Sequence, residues 1–131
     1  MRNRFFGLAA MAGALLLGMP AAYAQPATKL TTNLSEATIG AIWCSALFLE
    51  ESYYYDEGSD DAVHYEDMAY DLGEQLDDVM REAGLPTAES EEVWAIFDDA
   101  AADFALDDEA GYFVELDACE EAYQADKIKL R

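Results

Sequence analysis

Basic residues are scarce in this chain. Of 131 residues only seven are Lys or Arg and one is His, against 28 Asp and Glu, for a formal net charge of −21. Such a balance excludes nucleic acid or anionic lipid as a partner held through a basic surface. The lone histidine, His64, leaves no His-Glu-x-x-His metal pair, and neither a Gly-x-Ser-x-Gly elbow nor a phosphate-binding glycine loop occurs. Two cysteines, Cys44 and Cys119, are too few and too far apart for a Cys-x-x-Cys redox pair or a Cys-x-x-Cys-His haem attachment. No catalytic residue and no cofactor are expected. Paired acids carry no information about catalysis here, because acids are everywhere. Long apolar runs are also missing: after Ala24 none approaches the roughly 20 residues of a membrane-spanning helix.

What is present begins with an export signal. Arg2 and Arg4 form a positive lead, Leu8 to Met19 an apolar stretch rich in small residues, and Ala22-Tyr23-Ala24 a small-x-small cleavage site. Residues 1–24 therefore read as a signal peptide, residues 25–34 as a flexible lead-in, and residues 35–131 as a single helical domain. Cleavage leaves 107 of the 131 residues and deepens the charge from −21 to −23, since Arg2 and Arg4 are lost. The expected location is the periplasm or the medium. There an even cysteine count reads as a disulfide, and with two cysteines its pairing is forced: Cys44 to Cys119.

The apolar and aromatic content argues for a packed core despite the charge. Gly58, Gly84-Leu85-Pro86 and Asp107-Asp108 break the chain into four segments with no strand-like alternation and no internal repeat. The first, about 35–55, is capped by Ser35 and carries Ile39, Ile42, Trp43, Ala46, Leu47 and Leu49 at helical spacing. As the most hydrophobic segment it should be the central helix. The second, about 60–83, has Ser59 as cap and a stripe of Val63, Met68, Leu72, Leu76, Val79 and Met80. The third, about 88–105, is capped by Thr87 or Ser90 and has Val93, Trp94, Phe97, Ala101 and Phe104. The fourth, about 108–128, has Phe113, Leu116, Ala122 and Tyr123 on one side, and Lys127, Lys129 and Arg131 at its end, where cations favour a helix terminus. Short links between amphipathic helices predict an all-α fold: a small antiparallel four-helix bundle with one disulfide joining its first and last helices.

Two surface features bear on function. Between Leu30 and Asp126 the only Lys or Arg is Arg81. The acid excess therefore suits a cationic protein partner or divalent cations. Calcium is the sharpest case, with Asp56, Asp60 and Asp67 as candidate ligands. Aligned as a calcium loop from Asp56, however, Gly58 falls where an acid is needed and Asp61 where the turn requires glycine. The second feature is Tyr53-Tyr54-Tyr55. Three consecutive tyrosines cannot all enter a core, and tyrosine favours interfaces, so they form a candidate interaction patch for a partner or for the mate in a homodimer.

Trp43-Cys44, then Phe48-Leu49-Glu50-Glu51-Ser52-Tyr53, a second cysteine late in a helical chain and a lysine-rich end together resemble the periplasmic acid-stress chaperones. The likeness covers the segment around Cys44 and a few residues after Cys119. It implies a small disulfide-stapled helical protein that opens at low pH to bind unfolded clients, with no catalytic residues. From the residues themselves, the expected role is that of an exported, non-enzymatic binding protein using its acidic surface and exposed aromatics. The acid-stress chaperone is the alternative and a loose divalent-cation binder the third reading.

Overall fold

Ser35 opens the first helix by accepting the Thr38 backbone N–H on its hydroxyl at 3.1 Å, with Glu36 favourably placed in the first turn. The computed structural model describes residues 24–131. The signal peptide expected over residues 1–24 lies outside these, apart from Ala24. The lead-in contains a short 3-10 turn, Lys29–Thr31, and Leu34 is buried in the core. Four α-helices follow: α1 Glu36–Ser52, α2 Asp60–Glu82, α3 Thr87–Asp107 and α4 Glu109–Gln124.

Contacts fix the directions. Along α1, Thr38, Trp43 and Glu51 meet Leu130, Glu115 and Tyr112 in turn, so α4 runs antiparallel to α1. Along α2, His64 and Asp71 meet Glu120 and Tyr123, so α2 and α4 run the same way. The Cys44–Cys119 bridge, with Cα atoms 5.5 Å apart, ties the first helix to the last. These relations are those of the antiparallel bundle that the segment pattern predicts. No described helix is long and apolar enough to cross a membrane.

Helix α1 packs against all three others. Its burial therefore extends beyond one stripe: Ala41, Ile42, Trp43, Ala46, Leu47 and Phe48 are all buried. Phe48, absent from the expected face, meets Tyr65 of α2 and Tyr123 of α4 at ring distances of 6.4 and 6.0 Å. A side chain of this size contributes about 1.5–3 kcal/mol when fully buried.

Several expectations need correction. Val63 is exposed, because it is turned off the face on which Ala62, Ala69, Leu76 and Met80 are buried. In α4 the buried stripe is Tyr112, Glu115, Leu116 and Cys119, and Phe113 points outward. Neither Thr87 nor Ser90 caps α3; Pro86 occupies the cap position without a side-chain bond. Helix α1 stops at Ser52 rather than Tyr55, and α4 at Gln124 rather than Ile128.

The two glycine-type stops have one mechanism. At the end of α2, Gly84 (φ 96°) takes the left-handed conformation while Leu85 N–H bonds to Met80 O and Gly84 N–H to Arg81 O. At the end of α4 the same pair of bonds forms around Asp126 (φ 58°), with Lys127 N–H to Ala122 O and Asp126 N–H to Tyr123 O. The chain then turns back. Leu130 O accepts from the buried Thr38 hydroxyl at 2.6 Å, and Arg131 pairs with Glu82 at 2.7 Å. Lys127, Lys129 and Arg131 thus lie past the end of α4, which stops at Gln124.

Candidate functional site

Mid-helix Gly73 sets up the most distinctive surface. A Cβ placed on it would meet nothing within 4 Å, so the absence of a side chain leaves open space. On α2, Ala69, Gly73 and Asp77 follow at intervals of one turn and share a face, with Tyr70 and Glu74 beside them. On the antiparallel α3, Trp94 and Asp98 stand one turn apart. The two helices are joined where the Trp94 indole N–H donates to Asp77 Oδ1 at 2.8 Å. With Ser45 and Leu49 of α1 as floor, these residues enclose a groove of about 330 Å³. Ser45 is already satisfied, donating to Ala69 O at 2.9 Å.

The groove combines aromatic walls with an acidic rim and contains no cation of its own. Asp98 is half-buried and has no hydrogen-bond donor among the described residues. Burial, and then the nearby charges of Asp99 and Glu50, push its carboxyl up to about 6. Tyr53, 67% exposed, stands close enough to feel Asp98 and Tyr70: its hydroxyl pKa is raised by burial first and then by these neighbours. A positive group entering the groove would meet the Trp94 and Tyr70 side chains and the Glu74, Asp77 and Asp98 carboxylates, with Leu49 and Ala69 beside its carbon stem.

The three tyrosines of the expected patch are all exposed but do different things. Tyr53, the most exposed, makes no side-chain hydrogen bond among the described residues. Tyr54 donates to Glu50 Oε2 at 2.6 Å, and that bond is the main reason its pKa is pushed up to about 12. Tyr55 stacks on Tyr65 at 6.0 Å and donates to Glu51 Oε2 at 3.0 Å.

Asp56, Asp60 and Asp67 do not converge. The described residues contain no group of three or more His, Cys, Asp or Glu able to hold a metal ion. The reason is geometric: Asp60 and Asp67 lie on one continuous helix about 10 Å apart along its axis, too far to share one cation. His64 stands with its Nε2 2.9 Å from Glu120 Oε2, while Tyr65 donates to the other oxygen of Glu120 at 3.0 Å. The cluster joins α2 to α4.

Helical spacing puts Trp94 in an apolar stripe of the third segment, and nothing in the spacing brings it to Asp77, so the groove is not legible from periodicity. Gly73 was the one available signal, because glycine inside a long helix needs a reason. Comparisons with protein-family models, with curated proteins and with solved structures give no match to this chain.

Proposed function

We propose that this chain is an exported, non-enzymatic binding protein for a cationic protein partner, with the groove between α1, α2 and α3 seating a Lys or Arg side chain. One observation carries the reading: Trp94 and Tyr70 line one concavity with Glu74, Asp77 and Asp98, and no Lys, Arg or His lines it. A carbon stem with a positive head suits such a site better than an anion or a bare metal ion, which would lack either charge complement or converging ligands. The acid excess around it raises the encounter rate of cations and loses strength with salt.

The test is titration with an oligolysine peptide, followed by Trp fluorescence and calorimetry. Binding should weaken as ionic strength rises, and Trp94→Leu or Asp98→Asn should weaken it about tenfold. Equal affinity in these variants would remove the groove from the reading.

A second reading, the acid-activated chaperone, draws on the buried Glu51 carboxyl group, which joins α1 to α4 through Tyr112. A dye for exposed apolar surface, read from neutral to strongly acid pH, separates the two. The chaperone gains dye binding on acidification, and the constitutive binder does not.

A further inference from the structure

A second concavity, of about 310 Å³, lies where the end of α1 meets the corner between α3 and α4. Tyr54, Leu106 and Phe113 stand around it, 54%, 78% and 43% exposed, with the buried Tyr112 beneath. A single exposed leucine is ordinary, but three large apolar groups around one hollow form a patch. The patch is also acidic. Glu109 lines it, Asp107 and Asp108 form the adjoining corner, and no Lys, Arg or His occurs anywhere in α3 or α4.

That combination selects the occupant. A second copy of this chain would bring its own Asp107, Asp108 and Glu109 against the same residues, at a net charge of −21 per chain. An uncharged apolar segment would leave the acids without a counter-charge. A segment with apolar residues on one side and cations beside them meets both demands.

The hollow also adjoins the groove already described. Leu49 lines the groove and Glu51, two residues further along α1, lines the hollow. On α3, Asp98 of the groove and Ala105 of the hollow are seven positions apart on one face, about 10 Å of helix. We infer that the hollow beside Tyr54 receives the apolar side chains of the same cationic partner, which therefore presents an amphipathic cationic segment and not a bare run of Lys or Arg. This rests on the cationic-partner reading above. A helix of about twelve residues spans both sites.

The experiment compares two peptides of equal length and charge: a helical Leu/Lys amphipath and oligolysine. The amphipath should bind about tenfold tighter and keep more of its affinity in salt. Leu106→Ser and Phe113→Ser should each remove most of that advantage and leave oligolysine affinity unchanged. Both side chains are exposed, and unchanged helical circular dichroism and melting confirm that the fold is intact. Equal affinity for the two peptides, or an advantage that survives both substitutions, overturns the inference while the cationic-partner reading stands. If neither peptide binds, both fall. A dimer in sedimentation that Leu106→Ser dissolves would assign the patch to self-association and overturn the inference as well.

Discussion

Tyr112, fully buried on α4, donates its hydroxyl to Glu51 Oε1 on α1 across 2.9 Å. The other oxygen of Glu51 accepts from Tyr55 at 3.0 Å. A buried carboxyl group is thus held by two phenols, and the Tyr112 hydroxyl pKa is raised by burial and by that bond. Tyr112→Phe would strand half of Glu51 in an apolar setting. The expected loss is about 1–3 kcal/mol, measured as a lowered urea midpoint at unchanged slope. A loss below a few tenths would mean that water replaces the phenol.

The pH dependence follows from Asp98 and Glu115. Burial is the leading cause of the raised pKa in both, and the Trp43 bond to Glu115 only partly offsets it. A carboxyl group whose folded pKa lies above its unfolded value adds stability on protonation, and that contribution is lost as pH rises through the folded pKa. For Asp98 the window runs from about 6 down to the ordinary carboxylate value near 4. Melting temperature should therefore rise as pH falls from 7 to about 5, and Asp98→Asn should flatten the slope. A protein that loses stability across that window would contradict the assignment and favour the acid-opened chaperone.

Reduction of Cys44–Cys119 releases a loop of 75 residues, worth about 4.5 kcal/mol in chain-entropy terms. Denaturant unfolding with and without reductant should show most of that difference. The Cys44→Ser/Cys119→Ser double variant should behave like the reduced protein.

Asp126 holds a left-handed conformation that glycine occupies without strain. Asp126→Gly should add roughly 0.5–1 kcal/mol to stability, and Gly84→Ala should remove about 1 kcal/mol by imposing the same strain at the end of α2. Thermal melts of the two variants shifting in the same direction would refute this account of the helix stops.

The helices and their staple were legible because apolar spacing and the cysteine count are local signals. Leu72, Leu76, Val79 and Met80 are buried as their spacing requires. The reading of α4 failed at Tyr112 and Glu115. Their polar atoms are satisfied by Glu51 and Trp43, whose positions lie 61 and 72 residues away, so periodicity alone favoured the wholly apolar Phe113. Spacing carries α4 past its end because Asp126 is an unusual residue for a left-handed stop. The groove was illegible for a different reason: Gly73, Asp77, Trp94 and Asp98 come from two helices that only antiparallel packing brings together.

The strap formed by residues 127–131 has a practical consequence. Its bond from Thr38 to Leu130 anchors Arg131 at the end of the bundle opposite Tyr53, about 22 Å along α1. A label carried on residue 131 would sit at the far pole from the hollow beside Tyr54. Immobilising the protein through that position would present its tyrosine-rich pole to the solution.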